Sequence, residues 1–274
     1  MNKRYVSINH QLYLEEDAKI SITDLSIQRG FGIFDFLKTV DNRPIFLEDH
    51  FSRFYNSAKE MNIELDVDRT KLKLSIDELM EKNNLPNSGL KFILTGGFSS
   101  DGYTMSKPNL IITQTAFTVD PNSFHSGIRL VTYEHQRQLP QIKTIDYLQA
   151  IRLQSYVKEN KGDDILYFNN GNILECPRAN FFIINDDNII TPKTNILKGI
   201  TRMKILDMKI EGYEIVEKDI SLKDLETANE AFISSSTKNA LPVLSIDGKI
   251  IGDGKSGKIT ERVNQKLMQL IQNS

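Results

Sequence analysis

The chain has 274 residues, enough for a well-buried core and for two domains of ordinary size. Hydrophobic residues make up 39% of the chain and charged residues 26%, as in soluble globular proteins. The net charge is −2 and the basic residues are scattered, which argues against nucleic acid or an anionic membrane as the main partner. No apolar run reaches the roughly 18 residues that span a bilayer, and the N-terminal residues lack the apolar core of a signal peptide. We therefore expect a cytoplasmic protein.

Cysteine and histidine usage bears on metals and disulfides. The single cysteine, Cys176, excludes an internal disulfide and any cysteine-rich metal site. The four histidines, at positions 10, 50, 125 and 135, have no ligand spacing. The sequence therefore predicts no metal site.

The first half of the chain predicts a small domain of strands and helices. Alternation over residues 4–22 indicates a hairpin, and a strand follows from Ile33 to Val40. Apolar residues at 47, 51, 54, 58 and 61 predict a helix over 47–62, with a second over about 70–83. Gly30 and Gly32 bracket Phe31 without the third glycine of a dinucleotide fingerprint, so we expect close approach of another segment there. Two further strands complete a domain over residues 1–118, and 119–127 reads as a linker.

The second half predicts a larger domain over residues 128–274 that carries Lys143. It begins with a strand at 128–134, and a helical pattern with apolar residues at 145, 148, 151 and 156 follows Lys143. Short strands alternate with turn signals from 164 to 192. A helix starts at Gly199, a strand leads into the hydroxyl run 234–237, and an amphipathic helix ends the chain. The fold class is therefore α/β in the broad sense, with α+β character.

Lys143 and Glu175 have no obvious structural role. Lys143 precedes a helical pattern, and Glu175 ends a short strand before the turn Cys176-Pro177-Arg178. A lysine and a carboxylate of this kind are what a chain needs to form an imine with an aldehyde cofactor and to keep the cofactor's ring nitrogen protonated. Each residue taken alone is more often a solvated surface charge.

Two segments are candidate phosphate cradles. Gly199-Ile200-Thr201 places backbone N–H groups at a helix start, and Ser235, Ser236 and Thr237 follow a strand. Arg53 lies off the apolar stripe of its helix, so it is either a solvated surface residue or a phosphate ligand. Lysine, carboxylate, cradle and arginine together describe one ligand, a phosphorylated pyridine aldehyde.

Six segments carry a family resemblance, in the family's order and near its spacing: RGFGIFDFLKTV, EDHFSRFYNSA, IKTIDYLQAIR, ILECPRANFF, LKGITR and FISSSTKNALPV. In these the chain resembles the fold-type IV, or class IV, pyridoxal-phosphate aminotransferases, which include D-amino-acid aminotransferase, branched-chain aminotransferase and aminodeoxychorismate lyase. The resemblance implies the two-domain, D-amino-acid aminotransferase-like fold and a homodimer. It also implies an active site between the two domains of one subunit, completed by the other subunit.

The resemblance also implies residue roles. Lys143 is implied as the Schiff-base lysine and proton shuttle, and Glu175 as the partner of the pyridine nitrogen. Tyr147 resembles the tyrosine that bonds the cofactor's phenolic oxygen in branched-chain members, although it lies one residue early. The implied phosphate site comprises Arg53, Gly199, Ile200, Thr201, Ser235 and Ser236.

The implied reaction is a ping-pong exchange of an amino group between an amino acid and a 2-keto acid. We expect a D-amino acid such as D-alanine or D-glutamate, because GFGIFDFLKTV and IKTIDYLQA resemble that branch more than the others. The loop after Gly97 lacks the arginine and histidine that the familiar D-amino-acid enzymes use for the substrate carboxylate. Arg178 and Arg29 are candidate replacements, with a surface salt bridge as the alternative for Arg178.

Two other activities remain open. Tyr147, with Phe34 and Phe36 as possible walls of an apolar pocket, favours a branched-chain L-amino-acid aminotransferase. Aminodeoxychorismate lyase, which eliminates pyruvate, is the third candidate. Thr237, beside the implied phosphate serines, is a further candidate substrate contact.

Overall fold

The computed structural model describes residues 3–118 and 123–274. The chain divides into two compact units: unit 1 comprises Met1–Thr118 and Ile142–Asp146, and unit 2 comprises Val119–Gln141 and Tyr147–Ser274. Residues 119–122 of the predicted linker lie outside the described residues, and a short helix occupies Ser123–Ser126.

The division differs from the predicted domains at one segment. Residues 142–146, which include Lys143, belong to unit 1 and not to the second domain. The cause is backbone pairing, because the Phe34 N–H donates to the Lys143 carbonyl at 2.9 Å and the Ile145 N–H donates to the Gly32 carbonyl at 3.1 Å. Sequence pattern alone gives no sign of this pairing, since the two segments are far apart in the chain.

Unit 1 is built on a six-stranded sheet. Its strands are β1 (Tyr5–Ile8), β2 (Gln11–Leu14), β3 (Gly32–Val40), β4 (Arg43–Pro44), β5 (Ser88–Thr95) and β6 (Leu110–Ala116), in the order β2-β1-β6-β5-β3-β4. All the pairings are antiparallel. Its helices are α1 (Leu25–Arg29), α2 (Leu47–Glu60) and α3 (Arg69–Asn83). The predicted strand at 33–40 and the predicted helices at 47–62 and 70–83 are thus confirmed.

The core of unit 1 lies between one face of this sheet and the helices α2 and α3. Alternate residues of β3, such as Ile33 and Leu37, join Phe51, Phe54 and other fully buried helix residues in one cluster. A strand with alternating burial and a helix with an apolar stripe have complementary faces, so their packing removes both faces from water. Side-chain N-caps begin two of the helices of this unit, since Asp24 accepts from the Ser26 N–H at the start of α1 and Asp68 from the Lys71 N–H at the start of α3.

Gly32 confirms the expected close approach of another segment. A side chain there would lie 2.8 Å from the Leu94 carbonyl and 3.1 Å from the Ile145 side chain. Gly30 ends α1 with φ +66°, a left-handed conformation that favours glycine. Gly32 is therefore required by close packing, and Gly30 by the backbone conformation that ends α1.

Unit 2 is built on an eleven-stranded sheet. Its strands are β7 (Ile128–Glu134), β8 (Asp164–Asn169), β9 (Asn172–Ile173), β10 (Glu175–Cys176), β11 (Ala179–Asn185), β12 (Asn188–Thr191), β13 (Glu214–Glu217), β14 (Ile220–Ser221), β15 (Glu230–Ser235), β16 (Asn239–Ile246) and β17 (Lys249–Ile250). The main order is β13-β12-β11-β15-β16-β7-β8-β9-β14, with β10 on β11 and β17 on β16. Its helices are α4 (Ser123–Ser126), α5 (Leu148–Arg152), α6 (Gln154–Glu159), α7 (Ile200–Leu206) and α8 (Lys258–Gln272).

One predicted element of unit 2 is wrong in detail. The continuous helix expected after Lys143 is two short helices, α5 and α6, which are separated at Leu153. Leu153 itself is buried in a cluster with Val131 and Ile165. The predicted apolar stripe is divided, since Leu148 is 76% exposed and Ile151 63% exposed, whereas Tyr156 packs against this cluster. No helix among the described residues is long and apolar enough to cross a membrane.

Candidate active site

Lys143 is held firmly in unit 1. Its carbonyl accepts from the Phe34 N–H at the start of β3, and Thr144 forms an antiparallel bridge with Ile33. The side chain is half-buried, and Nζ lies 4.5 Å from the centroid of the Phe34 ring. A lysine fixed by its backbone and lying against an aromatic face presents its amine in one direction, as a nucleophile requires.

Arg53 is not a solvated surface residue, which was one of the two alternatives from the sequence, because its side chain is only 13% exposed. Its Nε donates to Asp35 Oδ2 at 2.8 Å and its Nη2 donates to Asp35 Oδ1 at 2.7 Å. Asp35 lies on β3, is fully buried, and also accepts from His50 Nδ1 at 2.7 Å. Burial favours protonation of Asp35, but Arg53 and His50 outweigh it and hold the pKa of this carboxyl well below its usual range. Asp35 thus fixes one edge of the guanidinium, while Nη1 carries the donors on the other edge.

Glu175 is a buried carboxylate with strong donors on both oxygens. Arg137 Nε donates to Oε1 at 3.0 Å, and Arg137 Nη2 forms an ion pair with the same oxygen at 2.9 Å. The Leu197 N–H donates to Oε2 at 3.0 Å. The Arg137 Nη2 also donates to the Pro140 carbonyl at 2.6 Å, which ties this arginine to its own loop. These charge-assisted contacts hold the carboxylate in its ionised form.

Gly199 contacts Asn180, the residue that pairs with Glu175 in unit 2. Asn180 is opposite Glu175 in the β10–β11 pair, and its Oδ1 accepts from the Gly199 N–H at 3.2 Å. A Cβ at position 199 would overlap that oxygen. Among the described residues no side chain caps α7 at Gly199, so the N–H groups of Ile200 and Thr201 begin a helix without a side-chain acceptor.

The hydroxyl run 234–237 divides between a strand and a turn. Ser234 ends up buried on β15 opposite Asn180, and among the described residues its Oγ has no hydrogen-bond partner. Ser235 accepts from the Lys238 N–H at 3.1 Å, and its Oγ lies 3.3 Å from the Thr237 hydroxyl. Ser236 lies with Thr237 in the turn between β15 and β16.

The remaining predicted residues have varied settings. Tyr147 is the residue before α5. Arg178 is 68% exposed, with Nη2 3.9 Å from Asp164 Oδ2. Arg29 is an exposed residue at the end of α1. Phe34 and Phe36 are half-buried on one face of β3. The roles of these residues stay predictions.

Sequence reasoning missed five residues that support the predicted ones. Two could have been noticed, since Asp35 is a lone acid in an apolar strand pattern and Arg137 precedes the Pro140 loop. The others become visible only through strand register and burial. The five are Asp35, His50, Arg137, Asn180 and Ser234.

Comparison with known proteins identifies the class of protein. A family model described as amino-transferase class IV matches residues 32–246, so the chain belongs to the class IV aminotransferases and is an enzyme. A putative branched-chain-amino-acid aminotransferase of Methanocaldococcus jannaschii is 28% identical over 97% of this chain and 96% of its own. A D-alanine aminotransferase of Bacillus licheniformis is 29% identical over 97% of this chain and 96% of its own.

A solved structure establishes the fold. The branched-chain amino acid aminotransferase of Escherichia coli superposes with a TM-score of 0.91 at 23% identity, over 98% of this chain and 95% of its own. The mixed α/β architecture is thus that of fold type IV, as expected. Class IV aminotransferases use pyridoxal 5′-phosphate, which is therefore the cofactor of this enzyme.

Proposed function

We propose that this enzyme transfers the amino group of a D-amino acid, such as D-alanine or D-glutamate, to a 2-keto acid. The observation that carries transamination is the setting of Glu175, a carboxylate 5% exposed that accepts from Arg137 and from the Leu197 N–H. A carboxylate kept ionised is suited to hold a proton on a pyridine nitrogen, which transamination needs. Preference for the D-series rests on the β3 and Lys143 motifs and on the D-alanine aminotransferase relatives.

The residues of unit 2 fit a phosphorylated pyridine. The buried Ser234 hydroxyl lacks a hydrogen-bond partner among the described residues, so a polar ligand atom would relieve a cost of about 1–3 kcal/mol. Gly199 lets the Asn180 side chain lie against the start of α7, whose Ile200 and Thr201 N–H groups have no side-chain cap and could donate to a phosphate. Ser235 and the adjacent turn hydroxyls add donors of the kind that phosphate accepts.

The cofactor supplies an electron sink for the bonds of the substrate's α-carbon. Lys143 would hold it through Nζ and, once released, would move the proton from the substrate's α-carbon to the cofactor's C4′. Glu175 would keep a proton on the ring nitrogen. Arg53 would bind phosphate through Nη1, because Asp35 already occupies Nε and Nη2. We propose Tyr147 and Ser236 as further cofactor contacts.

Substitution of Lys143 tests this assignment. We expect Lys143→Ala to lose the visible absorption of the bound cofactor and nearly all amino-group transfer. Lys82→Ala is a matched control, because Lys82 Nζ also lies over an aromatic ring of unit 1, at 5.1 Å from the Tyr5 centroid, and is exposed on α3. Normal turnover together with normal visible absorption in Lys143→Ala would sink the proposal.

The substrate is tested by direct mixing. D-alanine, D-glutamate, L-leucine and aminodeoxychorismate are added in turn to the yellow holoenzyme, and loss of the visible band is followed with and without a keto acid acceptor. We expect the D-amino acids to bleach the band. Bleaching by L-leucine alone would favour the branched-chain alternative, which the Methanocaldococcus jannaschii relative supports. Pyruvate release from aminodeoxychorismate without an acceptor would favour the lyase.

We propose Arg178 as a cation for the substrate carboxylate, with Arg29 as a second candidate and with Phe34, Phe36 and Thr237 as further substrate contacts. The Arg178 side chain is available for this role, since it is 68% exposed and its Asp164 contact is long at 3.9 Å. We expect Arg178→Ala to raise the substrate KM markedly and to leave cofactor absorption intact. An unchanged KM would assign the carboxylate to another residue.

We also propose that the enzyme is a homodimer. Leu148 and Ile151 on α5 are 76% and 63% exposed, although both are large apolar residues on one short helix. Neighbouring exposed apolar side chains are typical of an interaction surface. Light scattering after gel filtration should give twice the chain mass, and Ile151→Lys should shift the population towards monomer. A wild-type mass of one chain would contradict this.

A further inference from the structure

A second feature of unit 1 lies on the sheet face opposite its core. Antiparallel register places Phe36 opposite Lys91, Phe34 opposite Ile93 and Lys38 opposite Gly89. These side chains share one face, because paired residues of adjacent strands point the same way. We call it the Phe34 face, defined by Phe34, Phe36, Lys38, Lys91 and Ile93. The core residues Ile33, Leu37, Leu90 and Phe92 lie on the other face.

Charge on the two faces is strongly unequal. Across the six described strands of this sheet, Asp35 is the only acidic residue, and it lies on the core face with Arg53 and His50. The Phe34 face carries two lysines, Lys38 and Lys91, and no strand carboxylate. Its apolar residues lower the local polarity, so the field of these ammonium groups is poorly screened. Such a surface is complementary to an anion.

Lys91 and Lys143 both lie over the Phe34 ring of this face. Its Nζ is 4.9 Å from the Phe34 ring centroid, and the Lys143 Nζ is 4.5 Å from the same centroid. The two ammonium nitrogens are therefore no farther apart than the sum of these distances. An α-amino acid has its carboxylate one carbon away from its amine, so a cation for the carboxylate must lie near the lysine that reacts at the amine's position.

Partial burial distinguishes Lys91 from the arginine candidates. The Lys91 side chain is half-buried, and burial lowers the pKa of its ammonium group. Arg178 is mostly exposed and Arg29 is exposed. A partly desolvated cation gains more from a bound carboxylate than an exposed one does, because water competes less for it.

Resting on the transaminase function proposed above, we propose that Lys91 is a specificity-determining residue whose Nζ binds a carboxylate of the amino-acid and keto-acid substrates. The Lys91 ammonium group and the Lys143 amine both lie against the Phe34 ring, which brings them to one region of this face. The Lys91 ammonium group thus binds a carboxylate of the substrate, together with the Arg178 contact proposed above, and the Lys143 amine lies at the reacting end. Anionic α-amino acids and 2-keto acids are selected, and amines without a carboxylate are bound poorly.

Three variants test this assignment. Lys91→Gln removes the charge, Lys91→Met removes it while keeping an apolar stem against Phe34, and Lys91→Arg retains it. Lys82→Gln is the matched control, since it removes a lysine that lies over a ring of the same unit, on α3. Visible absorption of each holoenzyme first establishes that the cofactor is bound.

The measurements are equilibrium dialysis with labelled 2-oxoglutarate and steady-state kinetics with the amino acid that bleaches the wild-type band. Loss of one charge-assisted contact should weaken 2-oxoglutarate binding and raise KM by about 10- to 100-fold in Lys91→Gln and Lys91→Met. Lys91→Arg should recover most of the affinity, and Lys82→Gln should match the wild type. Cofactor absorption should be equal in all four.

Affinity and KM within twofold of wild type in either neutral variant with intact cofactor absorption would overturn the assignment. A loss of equal size in Lys82→Gln would also overturn it, because the effect would then not be specific to Lys91. Dialysis measures binding without turnover, so the Lys91 site and the transaminase function can be refuted independently of each other. A wild type that binds 2-oxoglutarate through Lys91 but exchanges no amino group refutes the proposed function and leaves the Lys91 site standing.

Discussion

Substitution of Asp35 by asparagine should destabilise unit 1 strongly. Asp35 is fully buried and accepts three short hydrogen bonds, from Arg53 Nε at 2.8 Å, Arg53 Nη2 at 2.7 Å and His50 Nδ1 at 2.7 Å. Asp35→Asn conserves the shape but removes the negative charge. In the cofactor-free enzyme Arg53, whose side chain is only 13% exposed, would then keep its charge in a partly buried position without a counter-ion.

The size of the effect follows from this burial. Removal of one partner of a buried ion pair costs about 3–5 kcal/mol, because the remaining charge stays desolvated. We therefore expect the free energy of unfolding to fall by about 3–5 kcal/mol at pH 7. This is a large part of the total stability of a typical domain, about 5–15 kcal/mol.

Urea denaturation followed by circular dichroism measures the change, with Glu48→Gln as the matched control. Glu48 forms an ion pair of similar length with Arg69, at 2.9 Å, but both side chains are exposed, at 69% and 47%. Exposed pairs contribute at most about 1 kcal/mol, so the control should be close to wild type. A loss in Asp35→Asn no larger than that in Glu48→Gln would refute the reasoning.

The pH dependence provides a second check of the same argument. The pKa of Asp35 is lowered in the folded protein relative to its unfolded value of 3.8, because Arg53 and His50 outweigh the effect of burial. Its contribution is therefore complete above pH 3.8 and is lost as the pH falls towards the folded value. The stability difference between wild type and Asp35→Asn should be constant above about pH 5 and should shrink below pH 3.8. A difference that grows on acidification would contradict this.

Three further predictions concern buried groups elsewhere. Arg137→Met should lower the free energy of unfolding in urea by about 3 kcal/mol, because Glu175 would keep a buried charge without its partner. Arg178→Met should lower it by less than about 1 kcal/mol, because Arg178 is exposed. Equal losses in the two variants would refute this difference. Burial lowers the pKa of Lys38 from 10.5 to about 8, so between pH 8 and pH 10.5 this lysine is protonated in the unfolded chain but not in the folded one. Wild-type stability should consequently rise relative to Lys38→Met from pH 8 to pH 10, and parallel profiles would refute this. Cys176 is 1% exposed, and burial raises the pKa of its thiol, so a disulfide reagent should label it only on unfolding; rapid labelling of the native enzyme would be the contrary result.

Local sequence patterns predicted most of the helices and strands. The stripe of α2, the alternation of β3 and the turn signals of unit 2 are visible within windows of a few residues, because periodicity depends only on which side of an element each residue occupies. The resemblance to class IV aminotransferases was equally local, since it lay in six short segments, and the family match confirms it. Sequence by itself therefore determined the family, the cofactor and most of the elements.

Only the tertiary structure decided how these segments combine. Arg53 meets Asp35 across 18 positions and Arg137 meets Glu175 across 38, and neither contact has a sequence pattern. Lys143 belongs to unit 1 because its backbone pairs with β3, and Lys91 lies beside it because both side chains contact the same ring. Such contacts depend on strand register and on which faces pack together, and these follow from the burial of the whole chain. The sequence thus indicated the reacting residues, whereas their hydrogen-bond and ion-pair partners were determined by the fold.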